Sequence, residues 1–350
     1  MSTPPAAVRE VAGRVDARLT SFLDAEASRW TAFDPDLAVP FGELRRMVVG
    51  GGKRLRPVFA FWGFVGAGGA PDDPRIVDAG AAFELLHAFA LFHDDIMDGS
   101  STRRGATTTH VGMQAEHRSR GWAGDARRFG DGAAILIGDL SFVYADMLLA
   151  GLGPRGWTMW NELRVELNLG QYLDMLGSAQ NERRPEKAAR ICRYKSGKYT
   201  IERPLHLGAL LADENTELLG DYSAYGLPLG DAFQLRDDVL GAFGDPSVTG
   251  KPVGDDLREA KPTPLMALAL QRSDSRQRAV LERVGRDTLD DRDIVRAQEA
   301  IVESGALAEM ETTIERLASE AITAIGKAPI APAVRDRLVE LAHYVSDRKV

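Results

Sequence analysis

The residues with the strongest claim to chemistry are a knot of carboxylates, Asp94-Asp95-Ile96-Met97-Asp98, closing an apolar run that begins Leu85-Leu86-His87-Ala88-Phe89-Ala90-Leu91-Phe92-His93. On a helix Asp94 and Asp98 share a face, with Cβ atoms about 5–6 Å apart. His87 lies two turns back on that face. Two bare carboxylates about 5 Å apart repel by roughly 3 kcal/mol at an effective dielectric near 20, and a bound cation relieves the repulsion. A second knot, Phe233-Gln234-Leu235-Arg236-Asp237-Asp238, closes another apolar run. Carboxylate clusters without thiolates select hard cations. Mg2+ in particular binds through one or two carboxylates plus substrate phosphates, so the substrate is expected to carry phosphate.

Basic residues sit where phosphate would need them. Gly50-Gly51-Gly52-Lys53-Arg54-Leu55-Arg56-Pro57 is a glycine hinge opening onto cations, and glycine lets backbone approach an anion closely. It is not a P-loop, because Arg54 stands where Ser or Thr would be required and no strand precedes it. Arg103 and Arg104 follow the first acidic knot within a few residues, and arginine grips phosphate with a fork. Lys53, Arg56, Arg103, Arg104, Lys195 and Lys251 together supply charge for two diphosphates in a chain whose formal net charge is −8. Metals spread over both acidic knots would turn one diphosphate into a leaving group, which is Lewis-acid cleavage of a C–O bond. Asp174 and Lys195 could each point inward or at water, and spacing does not choose between these. His93 reads as a core or supporting histidine in preference to a metal ligand.

Helices must position these groups. Val11, Val15, Leu19 and Phe22 recur at helical spacing between Val8 and Trp30. Further helices are predicted over Leu37–Val49, Val58–Phe64, Arg75–Asp98, Ala133–Leu149, Trp157–Leu176, Glu186–Leu211 and Thr216–Phe243, with amphipathic helix from Thr263 onward. No alternating β-branched pattern predicts a strand. The segment from Gly244 through Lys251 to Lys261 is rich in Gly, Pro and charge, and reads as a functional loop on a rigid scaffold.

The bulk numbers exclude several classes. At 350 residues and 44% hydrophobic the chain can bury a large core. Its acidic balance, with pI ≈ 5.4, argues against a nucleic-acid partner. The single Cys192 excludes a disulfide framework and fits a reducing, cytoplasmic setting. No hydrophobic signal region appears within Met1–Ala27. The uncharged apolar run Val58–Ala70 is too short to span a membrane, so no integral membrane segment is expected.

Taken together, Gly51-Gly52-Lys53-Arg54-Leu55-Arg56-Pro57, Asp94-Asp95-Ile96-Met97-Asp98, the Lys195-Ser196 pair, and Phe233-Gln234 with Asp237-Asp238 resemble, in order and spacing, the motifs of the trans-isoprenyl diphosphate synthases. The resemblance runs from about Val49 to Lys261. It implies an all-α, isoprenoid-synthase-type helical bundle around a central cavity, a single domain over residues 1–350, usually a homodimer. It also implies Mg2+-dependent condensation of an allylic diphosphate (dimethylallyl, geranyl or farnesyl) with isopentenyl diphosphate through an allylic cation, with about three Mg2+ per site and Mn2+ able to substitute. Carried over by residue, it gives Lys53, Arg56, His87 and Arg104 to isopentenyl diphosphate, and Arg103, Lys195, Ser196, Gln234, Lys251 and Lys261 to the allylic substrate. Asp94, Asp98 and Asp237 become metal ligands, supported by Asp95, Asp174 and Asp238. Gln234 and Ser196 would face the cation.

Two departures stand out. Gly241 occupies the place of the family's third aspartate in the second knot, with Asp245 near in sequence to compensate, and Ser196 replaces a commoner Thr. Ala260-Lys261-Pro262 also departs from the usual run, which leaves Lys261 a weaker assignment than Lys251. Phe89 followed by the small Ala90 resembles the floor of geranylgeranyl-type enzymes and implies a twenty-carbon product, with farnesyl or longer polyprenyl products as alternatives. Rival readings are a class I terpene synthase, which has no use for Lys53, Arg56 and His87, and a non-catalytic synthase subunit, which would be expected to lose Asp94, Asp95 and Asp98.

Overall fold

The periodicities become helices in the computed structural model, which describes residues 4–347 apart from 181, 183, 245–252, 260, 262 and 285–288. Helix α1 (Ala6–Thr31) buries Val8, Val11, Val15, Leu19 and Leu23, one stripe at three- and four-residue steps. It packs on α2 (Ala38–Val49), α3 (Leu55–Gly66) and α4 (Pro74–Met97). Helix α3 buries Leu55, Val58, Phe59, Ala60, Phe61 and Phe64, so both its faces are enclosed.

Helix α4 begins where Asp73 accepts the Arg75 backbone N–H and Pro74 pre-sets the first turn. It is long and apolar enough to cross a membrane, but most of it is buried inside the protein. A helix apolar on all sides is either a membrane span or a core element, and here it is core. The Ser141 hydroxyl donates to the Leu85 carbonyl at 2.7 Å and ties α6 (Ala126–Met147) against it.

Three local features differ from the sequence expectation. A two-residue hairpin, β1 (Thr102–Arg103) and β2 (Ala106–Thr107), turns on Arg104 and Gly105, both at positive φ. That is the backbone of a tight primed turn, and Arg at its first position hid it. Helix α5 (Thr109–Ser119), which buries Thr109, His110 and His117 beside Met113, gave no apolar stripe to read. The helix expected over Glu186–Leu211 is α8 (Pro185–Cys192), a π-helical stretch Arg193–Glu202, and α9 (Arg203–Ala212). Pro204, with no N–H to donate, stands just beyond the widened turns.

Helices α7 (Pro154–Ala179) and α10 (Leu219–Phe243) pack against this π segment from two sides. The main core runs through α1–α4, α6, α7, α9, α10 and the helix Pro332–Ser346. A second apolar cluster joins Ala232, Val239 and Ala242 at the end of α10 to Leu257, Leu265, Leu281, Ile294, Ile301 and Met310.

Candidate active site

The helix ends and turns deliver their polar groups to one cavity of about 1300 Å³. Lys53, Arg56, His87, Phe89, Ala90, Asp94, Arg103, Arg104, Asp174, Lys195, Ser196, Gln234, Asp237, Asp238 and Lys261 all line it. Asp95 and Asp98 sit beside it, reached through Arg103 and Lys261. Lys251 and Asp245 lie outside the described residues.

At the acidic end the carboxylates are held by cations. The Lys195 ammonium donates to Asp94 Oδ1 at 3.1 Å and to Asp174 Oδ2 at 2.6 Å, which places both Lys195 and Asp174 inward. Gln171 donates to the same Asp94 oxygen at 2.9 Å. Arg103 Nε donates to Asp95 Oδ1 at 2.7 Å, and its Nη2 lies 3.4 Å from Asp94. Lys261 Nζ lies 2.7 Å from Glu259, 3.5 Å from Asp256 and 3.9 Å from Asp98. Gln234 donates to Asp238 at 3.0 Å.

Crowding shows in the titration of these groups. Burial and the neighbouring Asp94 push Asp98 up to about 6. Burial also raises Asp95, and raises Asp238 well above the usual carboxylate range. For Asp94 burial works upward, but Lys195 and Arg103 outweigh it and hold the group low. Burial would lower Lys195, yet Asp94 and Asp174 raise it.

The donor set fits a hard divalent cation. Asp95 Oδ2 and Asp238 Oδ2 are buried without a hydrogen-bond partner, and Asp98 resists ionising, so negative charge here is under-compensated. Among the described residues no three carboxylate, imidazole or thiolate groups already converge on one metal-sized point, so Asp94, Asp98 and Asp237 are not drawn together as a ready cage. An ion that keeps its waters and takes substrate phosphate needs only one or two of them.

The family's third aspartate has a structural replacement here. A Cβ on Gly241 would collide with the carboxylate of Asp256, so the absent side chain is the space that Asp256 fills. A similar close approach brings α7 onto the π segment, where a Cβ on Gly170 would lie 2.5 Å from the Lys195 backbone nitrogen. That contact sets the depth of Lys195 and Ser196.

The basic end is built differently. Arg56 stacks its guanidinium 4.2 Å from the centre of the Tyr199 ring and donates to Thr200 Oγ1 at 3.0 Å. Arg104 Nη1 donates to the Gly51 carbonyl. Burial, reinforced by Arg56, Arg104, Arg103 and Arg54, depresses His87 well below its usual range and keeps the imidazole neutral. Its Nδ1 is buried without a partner, a donor or acceptor rather than a third charge.

An aromatic wall separates the cavity from α6. The Phe89 ring meets His93 at 4.6 Å and Phe142 at 4.7 Å between centroids. His93 Nε2 contacts the Ile135 carbonyl at 3.2 Å, in keeping with a supporting role. Sequence reasoning missed Phe142, Gln171, Tyr199, Asp256 and the buried Arg54–Glu84 pair. Gln171 lies in the stretch that carries Asp174, Tyr199 in the one that carries Lys195, and Arg54 in the basic motif, but nothing in the spacing of Arg54 marked it as different from Lys53 and Arg56.

The model of the family described as "Polyprenyl synthetase" matches residues 42–301. A geranylfarnesyl diphosphate synthase of Aeropyrum pernix is 32% identical over 88% of this chain and 93% of its own length. A nonaprenyl diphosphate synthase of Mycobacterium tuberculosis is 29% identical over 85% and 82%. Among solved structures, geranylgeranyl pyrophosphate synthase from Corynebacterium glutamicum, complexed with isoprenyl diphosphate and magnesium, superposes with a TM-score of 0.92 at 37% identity, covering 98% of this chain and 99% of that one.

Proposed function

Because the chain belongs to the polyprenyl synthetase family and is a trans-prenyl diphosphate synthase, we propose that it condenses an allylic diphosphate with isopentenyl diphosphate and stops at the twenty-carbon geranylgeranyl product. The observation that carries this reading is a single cavity with a basic end, an acidic end and an apolar aromatic wall.

In this reading Lys53, Arg56 and Arg104, with the neutral His87, hold the isopentenyl diphosphate. Arg103, Lys195 and Lys261, together with Lys251, hold the allylic diphosphate against the acidic end. Asp94, Asp98 and Asp237 would hold Mg2+, backed by Asp95, Asp174, Asp238 and Asp256, and the metal would supply Lewis-acid stabilisation of the departing diphosphate. Ser196 and the Gln234 side chain turn oxygen towards the carbon that becomes cationic. The double bond of isopentenyl diphosphate attacks that carbon, a C–C bond replaces the broken C–O bond and the charge moves to the branched carbon. The released diphosphate takes a proton from the CH2 between that branched carbon and the remaining C–O carbon, which makes the product allylic again. Phe89 then limits how many such cycles fit.

A homodimer is also proposed. Leu136, Val143 and Met147 on α6, and Val165, Leu169 and Tyr172 on α7, are exposed at helical spacing, Leu136 at 70%, and large exposed apolar surface is what an interface covers. Light scattering behind size exclusion should give twice the 38.1 kDa chain mass.

The activity test incubates pure protein with Mg2+, labelled isopentenyl diphosphate and each allylic diphosphate in turn. Label should enter a prenol of twenty carbons after dephosphorylation. A cyclised hydrocarbon formed from the allylic substrate alone would instead support the terpene synthase reading, for which the basic end has no role.

A further inference from the structure

We propose that Arg54 is a positioning residue: tethered to Glu84 and Asp16, it fixes the left-handed turn that presents Lys53 and Arg56 to a diphosphate. The inference rests on the two-diphosphate reading above and goes beyond it, because Arg54 itself touches no substrate in this scheme.

The backbone carries the first part of the argument. Arg54 sits at φ 50°, ψ 34°, a conformation that strains any residue with a Cβ. Arg54 and Arg104 are the non-glycine residues at positive φ among those described, and both belong to the basic end. Three glycines, Gly50 to Gly52, stand just before the Lys53-Arg54 pair. A turn that needed only left-handed backbone would be served by a fourth, so the side chain must be what is used.

That side chain is fully occupied. The guanidinium is buried, with Nη1 donating to Glu84 Oε2 at 2.5 Å, Nε to Asp16 Oδ1 at 2.8 Å and Nη2 to the Val48 carbonyl at 2.8 Å. Arg54 and Glu84 border the cavity together with Lys53 and Arg56, but each guanidinium nitrogen of Arg54 donates to α1, α2 or α4 and not into the open space. Glu84 lies three residues before His87 on the same helix, so one element registers both the tether and the imidazole. Arg104, bonded to the Gly51 carbonyl, braces the turn from the other side. The charged fork of a buried arginine paired with a buried carboxylate gives a rigid join.

The test separates tether from ligand by sign. In Glu84→Gln the buried counter-charge is gone and Arg54 is loosened. If Arg54 positions its neighbours, the KM for isopentenyl diphosphate should rise about tenfold, with kcat falling less than threefold and the allylic KM moving less than twofold. If Arg54 is itself a diphosphate contact held back by Glu84, that KM should fall, which overturns the proposal. Arg54→Gly keeps the turn unstrained but cuts the tether, and should raise the same KM. Binding by Arg54→Gly as tight as in the unaltered protein would also overturn it. Glu84→Asp should restore much of the lost affinity, whereas a merely structural role would raise both KM values and lower kcat together. Should Glu84→Gln not fold, Asp16→Asn removes the half-exposed arm of the tether and must shift the isopentenyl KM in the same direction. Calorimetric binding of isopentenyl diphosphate to the unaltered protein is the control, and its absence would refute the two-diphosphate reading instead of the tether.

Discussion

Replacing Phe89 by alanine should lengthen the product by one isoprene unit and no more. Phe89 stands five residues before Asp94 on α4, about 7.5 Å down the axis at 1.5 Å per residue, and its ring faces Phe142 at 4.7 Å. Removing the ring therefore opens one aromatic spacing. A five-carbon unit adds about 4–5 Å to an extended chain, from four bonds of roughly 1.5 Å in zigzag, so the gap accommodates one unit and the proposed twenty-carbon product would become twenty-five. Beyond Phe142 the path closes. Arg164 lies 4.8 Å from the Phe142 ring centre and donates to both oxygens of Asp146 at 2.9 Å. An apolar tail pressed onto that pair would desolvate it, which is costly. Phe89→Ala together with Phe142→Ala should add a second unit and then stop. Because Phe89 borders the cavity, its loss should cost towards the lower end of the roughly 3–5 kcal/mol typical of core Phe→Ala changes, leaving the protein folded. Ala90→Phe should fill the wall and shorten the product to fifteen carbons. Chromatography of dephosphorylated prenols reads all four proteins. An unchanged length in Phe89→Ala, or a broad ladder of long products, would refute the layered floor.

Three further outcomes follow from the same geometry. Asp94→Ala and Asp237→Ala should each cut turnover by more than a hundredfold with the far-ultraviolet dichroism unchanged, and EDTA should abolish activity of the unaltered enzyme; high turnover in EDTA would exclude the metal role. Lys53→Ala and Arg56→Ala should raise the isopentenyl KM, and Lys195→Ala the allylic KM, by about ten- to a hundredfold, the worth of a charge-assisted contact of roughly 1.5–3 kcal/mol; equal effects on both substrates would dissolve the division between the two ends. Asp98 is raised from 3.8 to about 6 in the fold, so its stabilising share is complete below pH 3.8 and is lost as pH rises through 6, on the order of 3 kcal/mol at 1.36 kcal/mol per unit. In EDTA the Tm should therefore fall between pH 5 and pH 7, less so in Asp98→Asn, and Mg2+ should recover it at pH 7; identical pH dependence in both proteins would rule out Asp98 as the source.

What could be read in advance was whatever rests on short-range spacing. The turn from Asp94 to Asp98, the Asp73-Pro74 start of α4 and the stripe of α1 follow from side-chain periodicity, and the structure places them within a residue or two of expectation. The co-assembly of Lys53, Asp94, Lys195 and Asp237 in one cavity came from resemblance to a family, because no local rule brings residues so far apart together. The features that stayed hidden depend on contacts between distant segments or on backbone states that residue type does not favour. The π segment has the same apolar pattern as an α-helix and is set by packing against Gly170 and the nearby Pro204. Arg104 at the head of the hairpin and Arg54 in the basic turn both stand where glycine or asparagine would be the expected signal. Asp256 could not be connected to Gly241 from sequence, since the link is a volume that one leaves and the other fills.

The two ends of the cavity are organised on opposite principles, and the reaction gives a reason. At the basic end the cations are fixed before any substrate arrives: Arg54 is buried against Glu84, Arg56 is stacked on Tyr199, and Arg104 is bonded to backbone. A molecule that must present its double bond at a set distance gains most from such preorganisation. At the acidic end Asp94 and Asp174 share Lys195, while Asp98, Asp256 and Glu259 share Lys261. Lysine is a point charge on a flexible stem, so if divalent cations neutralised the acids, as proposed, each ammonium could turn from carboxylate to phosphate, and no charge need be left without a partner during the exchange. An arginine fork in the place of Lys195 would hold Asp94 and Asp174 more firmly and resist that handover. Lysine at 195 and 261, where partners are to change, and arginine at 54, 56 and 104, where they are not, suit what each end would have to do, with Arg103 and Lys53 as the departures from that division.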